Sequence, residues 1–493
     1  MDYHHVYQSG KATPTMVLTK LIDVIETRLE PQLHIFTSFL KEDLLEQARA
    51  SDERWELGAP LSILDGVPIA VKDMVHVTNH KLCYGSQSCT PASDNNEEDA
   101  MVANFRDLGA IILGVTVSTE GGVTPLGYSL WWDGPFNTFD VNYYPGGSSS
   151  GSGVAVAAGL APIALGFDGG GSVRVPASMS GVVGLAATCG HIPTAAALEK
   201  TVVKAGPLTA TVADAALAHI VMAKEDARRP VPFYSKLYDG GIGGLPPAHL
   251  DGYLKPSSGD SARTNNDIKG MRMGIFWEHF THSDPEVVEA CVETVRFLES
   301  QGAVLVNITI PYLREIHLSH GLKILSEFAI AWEGVFDDTT GTVPRLEANT
   351  EITIAMGKQL TATEVLAAEK IRTFAMQYIQ QDIFRELQID AIVSPTLGSK
   401  VPKPARGYRS TGESNTPLVY KVMRFMPLAN FLGLPAMSVP VGYEKDTGLP
   451  IGFHLLGDAW MEHKLLRIAA VIESDFVKRR MPPKENYYDA LAE

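Results

Sequence analysis

Cysteine is scarce: Cys83, Cys89, Cys189 and Cys291 are the only four in 493 residues. A disulfide framework is therefore not expected, and the thiols are predicted to be reduced. The sequence contains no CxxC pair and no HExxH, so no metal site is predicted from motifs. Basic residues are outnumbered, with 41 Lys and Arg against 57 Asp and Glu and a net charge of −16, which argues against general nucleic-acid binding. Long apolar runs are missing as well. The longest, 154–167, is too short to span a bilayer and carries Gly159 and Pro162 inside it. The opening Met1-Asp2-Tyr3-His4-His5 lacks the basic and apolar regions of a signal peptide, so a cytoplasmic protein without membrane association is expected. No charge run, repeat or low-complexity linker divides the chain, which favours one large domain over 1–493.

What is present is an alternation of strand-like and helix-like segments. Buried strands are predicted at 68–72, 110–117, 163–167, 272–276, 303–308, 391–394 and 437–441. Amphipathic helices are predicted at 211–224, 285–300, 363–387 and 462–477. The pattern predicts an α/β fold, a large mixed central β-sheet flanked by helices on both faces. Residues 227–269, rich in Pro, Gly, Ser and Asp, read as a surface excursion.

Three features carry chemistry. Lys72 ends the apolar run Gly66-Val67-Pro68-Ile69-Ala70-Val71, and two glycine-serine clusters follow, GGSSSGSG at 146–153 and DGGGS at 168–172. A serine hydroxyl needs a base to become a nucleophile, and a lysine serves only while uncharged, a condition that burial favours. Gly169, Gly170 and Gly171, after a predicted strand and before Ser172, are suited to aiming backbone amides at an oxyanion. A Gly-Ser run alone suggests a linker, but this one passes directly into the apolar stretch Val154-Ala155-Val156-Ala157-Ala158. A phosphate loop is excluded because neither cluster contains GxxxxGK(S/T). Cys189 with His191 offers a thiol-imidazole alternative that lacks an evident third orienting group.

The stretch PGGSSSGSGVAVAAGLAPIALGFDGGGSVRVPASMSGVVGL at 145–185 resembles the amidase signature along its whole length. Lys72 stands in the family's GVPxxVKD context, the spacing of Ser148 and Ser172 matches, and FMPLANFLGLPAMSVP (425–440) and GLPIGFHLLG (448–457) are similar to its C-terminal segments. The resemblance implies the amidase signature fold, with Ser172 as nucleophile, Ser148 as a bridging serine after a cis peptide bond, and Lys72 as base. It further implies an oxyanion hole from the backbone of Gly169, Gly170, Gly171 and Ser172. Ser149, Asp168 and Arg174 would support that site, and Trp131, Trp132 and Phe136 would line the substrate pocket. The expected activity is hydrolysis of a small or medium carboxylic amide, a small-molecule substrate, without cofactor. The alternatives are a catalytically silent scaffold and a glutamine-dependent amidotransferase subunit; homo-oligomerisation is left open. The chain departs from the family pattern at Gly169, where threonine or isoleucine is usual. It departs again at Ala186, Ala187 and His191, which replace lysine, proline and arginine, and at His454, where glutamine is frequent.

Overall fold

A computed structural model describes residues 2–89, 98–193, 201–224, 268–332 and 345–492. One mixed sheet of eleven strands organises them. The strands are β1 (Phe36–Ser38), β2 (Pro68–Lys72), β3 (Ile111–Thr116), β4 (Ile163–Asp168), β5 (Val183–Ala186), β6 (Lys204–Thr209), β7 (Arg272–Ile275), β8 (Val304–Asn307), β9 (Ala391–Pro395), β10 (Ala436–Tyr443) and β11 (Pro450–Leu456). Their order is β1-β3-β2-β4-β6-β5-β10-β11-β9-β7-β8. β3, β2 and β4 run parallel at one end and β9, β7 and β8 at the other; the strands between them pair antiparallel.

Burial on both faces explains the continuous apolar runs. In β2, Ile69 and Val71 pack into one hydrophobic cluster while Ala70 faces another across the sheet, and β4 divides Leu165 from Ala164 in the same way. Helix Ser150–Ala157, built from small residues that are all buried, lies close against the strands, and Ser152 Oγ donates to Leu165 O (3.1 Å). Helix Pro285–Ser300 turns Val287, Cys291, Val295 and Leu298 into a core shared with helix Glu462–Asp475 and strands β10 and β11. Helices Ala348–Lys358 and Ala362–Gln377 each pack on helix Leu313–Ala331, and Ala362–Gln377 is opened by a capping box between Thr361 and Glu364.

The predicted strands are all present, with two qualifications. β8 is an edge strand with Val304 exposed rather than a buried one. Four strands, β1, β5, β6 and β11, have no counterpart in the sequence reading. The expectation of reduced thiols also needs correction, since Cys83 and Cys89 form a disulfide. A turn closed by Ser86 N donating to Cys83 O, followed by Ser88 N on Ser86 Oγ, folds that short loop back on itself, which spacing alone did not reveal. Cys189 and Cys291 are free. The excursion at 227–269 lies outside the described residues except for Ile268, which is buried, and Lys269.

Candidate active site

Three segments converge at the ends of β2 and β4. Lys72 closes β2, paired with Thr116 of β3, and only 1% of it is exposed. Its Nζ donates to Ser148 Oγ at 2.7 Å. The Gly147–Ser148 peptide bond is cis, and Ser148 O accepts from Thr119 N. Ser149 begins helix Ser150–Ala157; its amide donates to Ser172 O (3.2 Å) and its hydroxyl to Phe167 O (3.3 Å), so it ties the two glycine-serine clusters together. Ser172 is half-buried. Lys72, Ser148, Ser172, Gly169 and Gly170 all line one cavity of about 370 Å³.

The loop after β4 is held from beneath. Asp168 Oδ1 accepts from Gly171 N (2.7 Å) and Oδ2 from Val173 N (3.1 Å). Arg174 grips both carboxylate oxygens, Nε to Oδ2 at 3.0 Å and Nη2 to Oδ1 at 2.9 Å. Burial alone would raise the Asp168 carboxyl, but the Arg174 guanidinium, with help from Lys204 and Asn430, overrides it and holds the group well below the carboxylate range. Asp168 and Arg174 are both wholly buried, and such a pair is tolerable because the contact is bidentate and the remaining lone pairs are filled. The Gly171 amide is therefore engaged by Asp168, which corrects its assignment to the oxyanion hole. Gly171 has φ +113°, and a Cβ there would fall 2.6 Å from Met426 Cγ, so only glycine fits the turn.

Two residues unremarked in the sequence complete this support. Asn430 Nδ2 donates to Asp168 O (2.7 Å) and Oδ1 (2.9 Å). His320 Nε2 lies 2.9 Å from Gly169 O, an acceptor, so that nitrogen carries the proton. Burial pushes His320 down to about 4. Asn430 lies within the segment 425–440 that carried part of the family likeness, whereas no sequence signal marks His320. Two of the departures from the family pattern, Gly169 and His454, also find an account. A Cβ on Gly169 would meet Val203 Cγ2 at 3.0 Å and Ile324 Cδ1 at 3.4 Å, so those two cavity-lining residues occupy the room a larger side chain would need. His454 Nε2 accepts from Arg174 Nη1 (2.8 Å), which leaves its Nδ1 proton to face Ser394 Oγ at 3.4 Å. A neutral imidazole thus provides one acceptor and one donor, as a glutamine amide does. Burial and the neighbouring Arg174 hold His454 well below its usual pKa.

Trp131, Trp132 and Phe136 do not line the cavity. Trp131 donates to Glu120 Oε1 (2.7 Å) with Arg345 over its ring, and Phe136 packs in the core beneath Arg409. The Trp132 indole nitrogen is buried without a partner among the described residues. The cavity walls come instead from the packed helices, through Leu318, Ile324, Phe328, Ile352, Met356, Val419, Tyr420 and Met423. Four of these, Leu318, Ile352, Met356 and Tyr420, are also 50–61% exposed, giving the cavity an apolar rim. The Cys189 thiol is raised by burial and donates toward Thr201 O, and His191 pairs with Glu462; neither lines the cavity with Ser172.

A hydrolase-type cluster on a mixed α/β sheet has clear relatives. The Amidase family model matches residues 17–466. A fatty acid amide hydrolase of Medicago truncatula is 34% identical over 502 residues, spanning 99% of this chain and 78% of that protein. A glutamyl-tRNA(Gln) amidotransferase subunit of Myxococcus xanthus is 30% identical, spanning 92% of this chain and 93% of the relative. This chain belongs to the amidase signature family. Among solved structures, a bacterial aryl acylamidase of that family superposes with a TM-score of 0.80 at 22% identity, covering 99% of this chain and 97% of its own. The peptide amidase of Stenotrophomonas maltophilia does so with a TM-score of 0.75 at 23% identity, covering 97% of each chain. At such identities the likeness shows the fold. No helix among the described residues is long and apolar enough to cross a membrane.

Proposed function

We propose that the protein hydrolyses a carboxylic amide through an acyl-enzyme on Ser172, with Ser148 as proton relay and Lys72 as base. The observation that carries this reading is the 2.7 Å contact between Lys72 Nζ and Ser148 Oγ in the cavity that Ser172 also lines. In its uncharged form Lys72 takes a proton from Ser148 as Ser148 takes one from Ser172, whose oxygen attacks the amide carbonyl. The relay then runs backward and protonates the departing amine, and water repeats the sequence to release the acid. With the Gly171 amide bound to Asp168, the oxyanion falls to the amides of Gly169, Gly170 and Ser172. Ser149, Asp168, Arg174, Asn430 and His320 act on the reaction through the shape of that loop.

The substrate's acyl part is apolar and of medium to long chain. An apolar cavity opening through Leu318, Ile352, Met356 and Tyr420 favours an alkyl or aryl-alkyl group that would otherwise meet water, and the Medicago truncatula relative, named for fatty acid amides, supports this reading. The test is a panel of acyl amides and esters of graded chain length read by mass spectrometry, with Ser172→Ala as control. Hydrolysis that rises with chain length and vanishes in the variant supports the proposal; preference for the shortest amides rejects its substrate half. The amidotransferase reading rests on the likeness to the Myxococcus xanthus protein, and glutaminase activity that appears only with a partner protein would favour it instead. A silent scaffold would neither turn over any amide nor react with a fluorophosphonate.

A further inference from the structure

Outside the cavity, three segments distant in sequence bring together His191, His219 and Glu462. His191 follows the end of β5, His219 sits in helix Val212–Met222, and Glu462 begins helix Glu462–Asp475. One ring nitrogen of each histidine and one carboxylate oxygen lie within 4.8 Å of one another. Glu462 Oε1 accepts from Thr188 N (2.8 Å) and lies 3.0 Å from His191 Nδ1. Trp460 stacks edge-on against His191, its ring centroid 4.8 Å away. His219 is the anomaly. It is 0% exposed, and neither of its ring nitrogens has a hydrogen-bond partner among the described residues. A buried polar group left unpaired costs about 1–3 kcal/mol and calls for a missing partner. Here the unpaired imidazole faces a second imidazole and a carboxylate.

We propose that His191, His219 and Glu462 form a binding site for a divalent transition-metal ion of the zinc class. Two imidazoles and one carboxylate are a recurring zinc ligand set, with a fourth position left for water. Zinc bonds of about 2.0–2.2 Å place tetrahedral ligand atoms roughly 3.3 Å apart, so the cluster closes by a side-chain adjustment of at most about 1.5 Å. The ion replaces the proton between His191 and Glu462 and gives His219 its absent partner. Thr188 already fixes the carboxylate through its amide, the outer support that a ligating carboxylate needs. None of the three lines the amide cavity, so the ion's role is to clamp the turn after β5 to two helices. Linear motifs such as HExxH cannot reveal such a site, because its ligands stand at 191, 219 and 462.

The full chain, stripped with chelator, is dialysed against zinc chloride and then buffer, and its metal is counted by mass spectrometry. Cobalt(II) is added to a parallel sample and its visible absorption read. One zinc per chain and an intense tetrahedral cobalt band are expected. His219→Ala and Glu462→Gln should weaken zinc binding beyond the roughly 10–100-fold that outer-shell changes cost. His191→Ala, at a partly exposed ring, serves where a buried substitution fails to fold, and fluorophosphonate labelling of Ser172 reports that each variant is folded. No stoichiometric zinc in the wild type, or zinc retained equally by His219→Ala or His191→Ala, overturns the site.

Discussion

Replacing Arg174 by methionine tests how the loop beneath Ser172 is held. The guanidinium supplies two hydrogen bonds to Asp168 and further ones to Asn430 Oδ1 and His454 Nε2, all wholly buried. Its removal leaves a carboxylate in the core with amide donors alone, and breaking a buried pair in this way costs about 3–5 kcal/mol. That is a large share of the roughly 5–15 kcal/mol that holds a typical domain folded. Asp168→Asn should cost a similar amount by stranding the arginine. The double variant should lose less than the sum, with a coupling of about 2–3 kcal/mol. The pH dependence reverses sign. In the wild type the Asp168 carboxyl is held below its ordinary 3.8, so its contribution is full above that value and lost as pH falls through the native titration. In Arg174→Met, burial pushes the carboxyl upward, so the penalty is present at neutral pH and shrinks as the pH falls toward about 4. Urea unfolding of the four proteins at pH 7, pH 5 and pH 3 measures both the coupling and the opposite pH trends. Additive losses, or single losses below about 1 kcal/mol, would refute the clamp.

Three further outcomes are expected. Lys72→Ala should depress amide turnover near pH 7 by about 10²–10⁴-fold and remove the limb that rises with pH, as initial-rate profiles will show. Burial pushes His320 down to about 4 from an ordinary 6.5, so the unfolded chain binds the extra proton between those values. Stability that is full above pH 6.5 is therefore lost on acidification, by about 3 kcal/mol at pH 4, and in His320→Gln the acid slope of unfolding free energy should fall by one proton. Ile352→Glu with Met356→Glu, at the exposed rim, should raise KM for long-chain amides at least tenfold while leaving acetamide hydrolysis within about twofold, in steady-state assays.

Much of the architecture was legible because strands buried on both faces read as uninterrupted apolar runs, whether paired in parallel as β2 is or antiparallel as β10 is; β4 and β9 are of the same kind. β6 escaped because Gly206 and Pro207 read as a turn, yet a Cβ at Gly206 would fall 1.9 Å from Leu185 O, so glycine is what lets the neighbouring strand approach. β11 is likewise broken by Gly452 and His454, and β1 spans only three residues. At the site, Lys72, Ser148 and Ser172 were marked by their signature context, and the structure places them around one cavity. His320 and the apolar rim were not legible, since they reach the cavity from helices whose own periodicity reports only packing. Trp131, Trp132 and Phe136 were placed at the pocket by the family resemblance, whereas a hydrogen bond to Glu120 holds Trp131 elsewhere and Phe136 packs in the core.

The most direct measurement is intact-mass and peptide mapping of the fluorophosphonate adduct at neutral pH in the wild type, Ser172→Ala, Ser148→Ala and Lys72→Ala. The relay predicts one adduct, on Ser172, absent from Ser172→Ala and formed far more slowly in the other two. An adduct on another residue, or labelling of Lys72→Ala and Ser148→Ala at the wild-type rate, would contradict it.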